Sequence, residues 1–355
     1  MYESNVLHQY IHDQKIEEQL SKKIGENVTL KPSGIECLKS TKRSTIYKLL
    51  FQRDTATYPI ILKIYGIGKY KNQVEINVYS DPPPLLNMFL PQIYHIENRT
   101  SHSEIWIFME FIQHIRGRVI FTPQHFDYII PGIAKLHAHT FEDQFMNRYK
   151  DLPSWFPVYN SKTMRKERSR TIKDTIQLLN KAAKDKDIKS LIQPHYAPLM
   201  KIYENQPDFF PELLGSGSAV THSDLHMQNV CCKNLTEAKP WDIQLIDWES
   251  TKFGPVWFDM VVLVEILLAF RKDWQNEAED IRTHCVNLYT TEMKKHGIEF
   301  QHPPLDLYKM AYLQRTLEKG LYMQLRRIFS GRGGELLPYH LEKVATWGKE
   351  LGIYQ

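Results

Sequence analysis

The first third of the chain alternates short apolar runs with polar turns. The runs are rich in β-branched and aromatic residues, which is typical of strands. They occupy residues 35–40, 45–52, 59–65, 90–96 and 104–111. Apolar residues recur at helical spacing only over residues 6–23 and 71–79. This pattern predicts a small antiparallel sheet with one or two helices, in which residues 53–58 form a hairpin connection.

Beyond Gln113 the apolar residues recur mainly at helical spacing. The predicted helices cover residues 123–140, 161–187 and 191–203, and the chain from Pro255 to its end apart from a Gly-rich turn at 330–334. Thr122 and Pro123 suit a cap and first turn, while Pro131 predicts either a kink or a later helix start. Residues 220–247 return to short β-like pieces around polar loops.

Together these patterns predict an α+β protein with two lobes. The small antiparallel β-lobe comprises residues 1–112, and the larger, mainly helical lobe comprises residues 113–355. A hinge near residues 111–118 would place a cleft between the lobes, where ligands commonly bind.

Composition and charge exclude several classes of protein. The formal net charge of +4 is too small for a dedicated nucleic-acid binder. The most apolar run, residues 260–270, is too short to span a bilayer and contains Glu265. No secretory signal is visible at the N-terminus, and the four cysteines form no C-x-x-C pair. We therefore expect a cytoplasmic protein with reduced thiols and no nucleic-acid or membrane partner. The sequence does not indicate the oligomeric state.

Two segments carry the candidate chemistry. Residues 220–230 read V-T-H-S-D-L-H-M-Q-N-V, and residues 244–249 read Q-L-I-D-W-E. The spacing of Asp224, Asn229 and Asp247 fits phosphoryl transfer: the first aspartate accepts the proton of an attacking hydroxyl, and the other two supply oxygen ligands to Mg²⁺. Zinc bound by His222 and His226 is the alternative, but a third ligand and a helical H-E-x-x-H context are missing.

These residues resemble a known family. THSDLHMQN followed by LIDWE is similar to the catalytic and metal loops of the aminoglycoside phosphotransferase/choline kinase-like superfamily. The family signature H-x-D-x-x-x-x-N falls on His222, Asp224 and Asn229, and the downstream G-P-x-x-x-D segment ends at Asp259. The resemblance spans roughly residues 35–270. It implies a protein-kinase-like fold in which Asp259 supports the catalytic loop and His222 packs and forms hydrogen bonds.

The β-lobe is expected to bind the nucleotide. Lys63 lies in the apolar run YPIILKIY, and a buried lysine needs a partner, for which Glu75 is the candidate. In the family such a lysine contacts the α- and β-phosphates. The loop between the first two strands contains no glycine, so Ser40, Thr41 and Ser44 are expected to offer hydroxyls and backbone N–H groups instead.

Residues 107–112 (IFMEFI) resemble the strand that leads into a kinase hinge. The resemblance implies that the Glu110 carbonyl and the Ile112 N–H bind the edge of adenine. Met109 would lie in the inner part of that pocket. A plain buried strand end explains the same residues equally well.

The sequence thus predicts an ATP-dependent or GTP-dependent phosphotransferase that uses Mg²⁺. Its acceptor is a hydroxyl of a small molecule such as an aminoglycoside, a choline-like or a sugar-like metabolite. Trp248 and Glu249 are expected near that acceptor. The alternative is a catalytically silent kinase-like binding or assembly protein of the spore-coat type.

Overall fold

The computed structural model describes residues 2–66, 70–99, 102–142, 155–233, 235 and 240–354. The chain forms two compact units. Unit 1 comprises Met1–Ile120 with Met227–Ser250, and unit 2 comprises Phe121–His226 with Thr251–Gln355. The predicted division at residues 112 and 113 differs from these bounds. Residues 227–250 return to unit 1 because Cys231 bridges to His114 in β fashion.

Unit 1 is built on a five-stranded sheet with the order β1-β2-β3-β5-β4. All neighbouring strands in it are antiparallel. The strands are β1 (Thr29–Ser40), β2 (Ser44–Arg53), β3 (Ala56–Gly66), β4 (Ile93–Arg99) and β5 (Glu104–Glu110). The predicted sheet is confirmed, but β1 starts six residues earlier than its apolar pattern. A register irregularity between Leu30 and Ile35 interrupts the alternation there and hides that part of the strand.

The N-terminal helical stretch of unit 1 is two helices, Ser4–Asp13 and Ile16–Ile24, rather than one. Lys15 separates them in the left-handed region at φ 53°. Both helices bury their apolar side in the core of the sheet through Leu7, Ile11, Ile16 and Leu20. The unit also contains the helix Tyr70–Ser80 and the antiparallel pair β7 (Val230–Cys232) and β8 (Ile243–Leu245).

Unit 2 is mainly helical, as predicted. Its only strands among the described residues are β6 (Ser218–Thr221) and β9 (Lys252–Pro255), which pair antiparallel. Its α-helices are Phe126–His139, Lys162–Ala182, Lys189–Ile202, Pro211–Leu214, Trp257–Phe270, Ala278–Lys295, Pro304–Arg315, Leu321–Phe329 and Leu337–Glu350. Thr122 caps a 3₁₀ turn at Pro123–His125. The first α-helix starts directly after this turn, at Phe126, and runs through Pro131, so Pro131 does not delay its start.

The apolar run of residues 260–270 lies in the helix Trp257–Phe270, which is buried on nearly every side. Glu265 is buried there and is neutralised by Arg282, whose Nε lies 2.7 Å from Glu265 Oε1. The Tyr308 hydroxyl donates a second hydrogen bond of 2.6 Å to the same oxygen. Within the described part of the chain, no helix has the length and apolar character needed to cross a membrane.

Candidate functional site

Lys63 in unit 1 lies between two carboxylates. Strand β3 carries it into the interior, where the residue is 7% exposed. Its Nζ donates to Glu75 Oε1 at 2.7 Å and to Asp247 Oδ1 at 3.2 Å. A buried ammonium is stable only when its charge is paired and its donors are used, and both carboxylates do this. The structure therefore brings Lys63 and Glu75 together and adds Asp247 to them.

The charges in this cluster do not balance. Burial disfavours the charged form of Lys63, but Glu75 and Asp247 outweigh it and raise the pKa of the lysine. Burial also raises the pKa of Glu75 against the attraction of Lys63, and the negative charge of Asp247 raises it further. Two carboxylates thus share one ammonium. This excess of negative charge favours the binding of one more cation.

The β7–β8 pair positions Asn229 and Asp247 at one end of the same short ladder. Val230 pairs with Leu245, and the next residue, Ile246, donates its N–H to the Asn229 carbonyl at 3.1 Å. Asn229 is buried, whereas the Asp247 side chain is 37% exposed. Asp247 has φ 67°, in the left-handed region that aspartate tolerates better than most residues.

Asn229 and Asp247 fit a magnesium ion. An amide oxygen and a carboxylate are hard ligands, and Mg²⁺ usually takes only one or two carboxylates and completes its shell with phosphate oxygens and water. No cluster of three His, Cys, Asp or Glu side chains suited to a metal occurs among the described residues.

The glycine-free loop between β1 and β2 is closed by Thr41. The Thr41 hydroxyl accepts hydrogen bonds from the N–H groups of Arg43 and Ser44, each at 3.1 Å. Its own N–H donates to the Ser44 carbonyl at 3.0 Å. The Ser40 and Thr45 hydroxyls lie 3.2 Å apart. The Ser40 and Thr41 hydroxyls and the Ser44 N–H are therefore already used within the loop, and a phosphate contact there stays a prediction.

Two residues that the sequence did not single out hold this loop within unit 1. Arg43 Nη1 donates to both carboxylate oxygens of Glu249, at 2.8 and 3.0 Å. The buried Asn72 amide donates to the carbonyls of Arg43 and Gly66, at 3.0 and 3.1 Å. The partner of Arg43 lies 206 residues away, so no local pattern indicated it. At Asn72 the sequence showed only a polar residue in the first turn of a short helix, which does not indicate the loop as its partner.

The segment expected to bind adenine ends β5. Met109 and Ile112 are buried, while Glu110 is partly exposed. The Glu110 carboxylate lies 2.8 Å from Lys233 Nζ, and its backbone N–H donates to the Gln92 carbonyl at 2.8 Å. The side chain is thus committed to unit 1, and any contact of this segment with a base would use the backbone.

Asp259 organises the segment that precedes Asp224 in unit 2. Its fully buried carboxylate accepts the N–H of His222 at 2.7 Å and the N–H of Ser223 at 2.6 Å. Ser223 is in the left-handed region at φ 63°, a conformation that such surroundings must hold in place. The Asp224 N–H in turn lies 3.3 Å from His222 Nδ1. Asp259 and His222 therefore fix the backbone on which Asp224 stands.

His137 is a further member of this network that the sequence analysis missed. Its Nε2 lies 3.2 Å from Asp259 Oδ2, and its Nδ1 lies 2.8 Å from the Tyr289 hydroxyl. His137 stands inside the apolar stripe of the helix Phe126–His139 and is fully buried. A histidine in an apolar stripe indicates a buried side chain that needs a hydrogen-bond partner, but the sequence does not identify that partner.

The ionised form of Asp259 stabilises unit 2. Burial alone would raise its pKa, but hydrogen bonding to His137 and the charges of His137 and His222 outweigh burial, so the pKa lies below the ordinary value of 3.8. A carboxylate with a depressed pKa contributes stability above its unfolded-state pKa. That contribution is lost as the pH falls through the lower, folded-state pKa.

Replacing Asp259 with asparagine should therefore lower the free energy of unfolding at pH 7 by about 1–3 kcal/mol, because one buried N–H loses its acceptor. The difference between wild type and variant should shrink as the pH falls below 3.8, because the unfolded wild type takes up a proton there before the folded carboxylate does. Urea unfolding of both proteins between pH 7 and pH 3 measures this. Asp280→Asn, at an exposed carboxylate, is the control. A difference in the free energy of unfolding that does not change with pH would contradict the stabilising role of the ionised Asp259.

Trp248 does not offer its side chain to a ligand from solvent, and its expected position near the acceptor stays a prediction. Its side chain is fully buried in unit 1, and its Nε1 donates to the Leu245 carbonyl at 2.8 Å. The 3₁₀ turn Trp248–Ser250 packs against the helix Tyr70–Ser80, which explains a buried aromatic residue at this position. Glu249, the next residue, is committed to Arg43 as described above.

These features define a protein of the protein-kinase-like fold. A five-stranded antiparallel sheet is followed by a mainly helical part, as the sequence resemblance implied. The sequence matches, over residues 70–317, the model of the DUF1679 family, which is described as "Uncharacterized oxidoreductase dhs-27". The chain belongs to this family. Among curated proteins, no sequence match is found.

Solved structures that resemble the chain include small-molecule phosphotransferases. Spectinomycin phosphotransferase APH(9)-Ia, in complex with ADP and spectinomycin, is 14% identical with a TM-score of 0.46, over 93% of this chain and 98% of that one. Choline kinase LicA of Streptococcus pneumoniae is 14% identical with a TM-score of 0.47, over 97% and 99%. Macrolide 2'-phosphotransferase MphH of Brachybacterium faecium is 13% identical with a TM-score of 0.47, over 89% and 93%.

Proposed function

We propose that this protein is a small-molecule kinase that transfers the terminal phosphoryl group of ATP or GTP to an alcohol. One observation carries the proposal: Lys63 Nζ is held between Glu75 and Asp247 at 2.7 and 3.2 Å. In kinases a strand lysine binds the phosphates, a helix glutamate holds that lysine, and an aspartate binds the metal. The three side chains of unit 1 have the chemistry and the mutual contacts that these tasks require.

Asn229 and Asp247 would hold Mg²⁺. Bound Mg²⁺ supplies positive charge that neutralises the phosphate oxygens during transfer. Lys63 would neutralise the remaining phosphate charge, with Glu75 keeping its ammonium in place.

Asp224 is the proposed base. Its side chain is 45% exposed, which leaves the carboxylate open to a hydroxyl, while Asp259 and His222 hold its backbone. The carboxylate accepts the proton of the acceptor hydroxyl as that oxygen bonds to the terminal phosphorus. The bond from this phosphorus to its bridging oxygen breaks, and the nucleoside diphosphate leaves with the bonding electrons.

The word oxidoreductase in the family description does not fit the described sheets. Dinucleotide-dependent oxidoreductases of the Rossmann type need a parallel sheet with a glycine-rich turn before the first helix. The named strands of the described residues pair antiparallel in all three sheets. The loop between β1 and β2 contains no glycine either. These observations favour phosphoryl transfer over hydride transfer.

Nucleotide binding tests the proposal directly. Mg-ATP or Mg-GTP at about 100 times its dissociation constant should stabilise the protein by about 2.7 kcal/mol, and the rise in thermal midpoint should fall when EDTA removes the metal. Release of nucleoside diphosphate with a panel of alcohols then tests turnover. A protein that binds neither nucleotide is not a kinase. Binding without turnover on any alcohol favours the catalytically silent alternative.

A further inference from the structure

The peptide between Ser223 and Asp224 is held at both of its polar groups. Its carbonyl, that of Ser223, accepts a hydrogen bond from Arg315 Nη2 at 2.9 Å. Its N–H, that of Asp224, lies 3.3 Å from His222 Nδ1. Because a peptide is planar, contacts at these two groups fix the orientation of the whole plane. Arg315 and His222 therefore determine the direction in which the chain enters Asp224.

The residue before Asp224 needs this support. Ser223 has φ 63°, in the left-handed region that a serine keeps only when its surroundings hold it there. Its N–H donates to Asp259 Oδ1 at 2.6 Å, and its hydroxyl lies 2.7 Å from the Thr221 hydroxyl. The contact with Arg315 adds the carbonyl, so all three polar groups of this serine are held.

Arg315 is positioned for this contact by the helix that carries Asp259. It ends the helix Pro304–Arg315, and its guanidinium carbon lies 5.3 Å from the centroid of the Phe258 ring. This distance is that of a cation–π contact. Phe258 is fully buried and directly precedes Asp259 in the chain. Two adjacent residues of one helix thus hold the same serine, one directly and one through the arginine.

The π-helical turn Thr316–Gly320 follows Arg315 directly. Such turns change the spacing of side chains along a helix and occur frequently at functional sites. Glu318 lies three residues after Arg315, a spacing at which a regular helix favours an ion pair. Its carboxylate instead accepts the Tyr159 hydroxyl at 2.6 Å and lies 3.6 Å from Arg168 Nε. Glu318 is therefore committed to other partners, while Arg315 contacts a backbone carbonyl.

We propose that Arg315 is a positioning residue, which fixes the peptide between Ser223 and Asp224 and with it the direction of the Asp224 carboxylate. This inference rests on the proposed function, in which Asp224 is the base. Without the arginine, the peptide can rotate about the single bonds on either side of it while Ser223 keeps its contact with Asp259. Such a rotation displaces the Asp224 carboxylate, and a displacement of about 1 Å in a reacting group costs about 100-fold in rate.

Arg315→Met removes the donor and keeps a long, unbranched side chain. It should lower kcat by about 10–100-fold and change KM for Mg-ATP by less than about twofold, because Lys63 and the metal ligands are untouched. Arg315→Lys should recover most of the lost kcat, since only one donor is used in this contact. Arg332→Met, at an exposed arginine, is the control. Equal losses of kcat in the Lys and Met variants, or an unchanged kcat in both, would overturn the inference.

A double-mutant cycle with Asp224→Asn separates positioning of the base from general damage to the protein. If Arg315 acts through the Asp224 carboxylate, Arg315→Met has little left to disturb once that carboxylate is gone. It should then lower the residual kcat of Asp224→Asn by less than about threefold, against about 10–100-fold in the wild type. Losses that multiply would show that the arginine acts independently of the base, which contradicts the proposal.

Hydrogen exchange on the full chain without nucleotide tests the contact independently of turnover. In Arg315→Met the amides of residues 222–224 should exchange about tenfold faster or more, the equivalent of one hydrogen bond from a charged donor. The helix Ala278–Lys295 is the internal reference and should not change. This result in a protein that binds neither Mg-ATP nor Mg-GTP would support the hold on Asp224, and the kinase proposal alone would be wrong. Unchanged exchange at residues 222–224, or a rise spread over all of unit 2, would overturn the inference even in an active kinase.

Discussion

Asp224→Asn is expected to slow phosphoryl transfer by about 10²–10⁴-fold, the usual contribution of a general base. Asparagine has nearly the same shape as aspartate, so the hydrogen bond from the residue 224 N–H to His222 Nδ1 remains possible. Its amide does not accept the proton of the acceptor hydroxyl. Affinity for Mg-ATP should therefore change little, since the metal ligands and Lys63 are untouched.

Steady-state kinetics and nucleotide titration separate the two effects of Asp224→Asn. The matched control is His226→Asn, because His226 Nε2 lies 3.9 Å from Asp224 Oδ2 and is the neighbouring group able to take a proton. This control should keep activity within a few-fold of the wild type. An Asp224→Asn protein that retained most of its activity would show that another group is the base.

Asp247→Asn should lose both Mg-ATP affinity and turnover. Substitutions around a bound metal cost about 10–100-fold in affinity even when they remove only a supporting residue, so loss of a ligand carboxylate should cost at least that much. Asparagine is preferred to alanine for this test because residue 247 has φ 67°, which asparagine adopts readily and alanine does not. The effect can then be attributed to the carboxylate rather than to backbone strain.

The stability of the Asp247→Asn protein should be preserved. Lys63 keeps its 2.7 Å contact with Glu75, and removal of one of two carboxylates relieves their mutual repulsion. Calorimetric titration with Mg-ATP and a thermal unfolding curve measure affinity and stability separately. Asp81→Asn is the control, since Asp81 is an exposed carboxylate of unit 1 outside the Lys63 cluster. Equal Mg-ATP affinity in wild type and Asp247→Asn would remove Asp247 from the metal site.

Much of this architecture follows from local patterns. Strand β3 and the helix Tyr70–Ser80 were predicted within three residues at each end, because side-chain alternation and helical spacing repeat over two to four residues. Even the Lys63–Glu75 contact was expected, since a lysine inside an apolar strand requires an anion nearby and the next helix supplies one. The candidate base and metal ligands came from their spacing and from the resemblance to a family.

Other features depend on residues far apart in the chain. Trp248 is a core residue, because the turn that carries it packs against the helix Tyr70–Ser80, which lies far from it in the sequence. The Arg43–Glu249 pair and the His137–Asp259 contact join residues 206 and 122 positions apart. Local propensity carries no information about such partners, since charge and hydrogen-bonding capacity are alike at every exposed Arg or Glu.

The proposed phosphate-donor chemistry rests on Asp224, Asn229 and Asp247, whose types and spacing can be read from the sequence alone. The support of the Asp224 segment could not be read there. Ser223 and Asp259 are 36 positions apart, and each is an ordinary polar residue in its own segment. Only the pairing of β6 with β9 and the burial of the helix Trp257–Phe270 bring them together, because a hydrogen bond depends on distance in space.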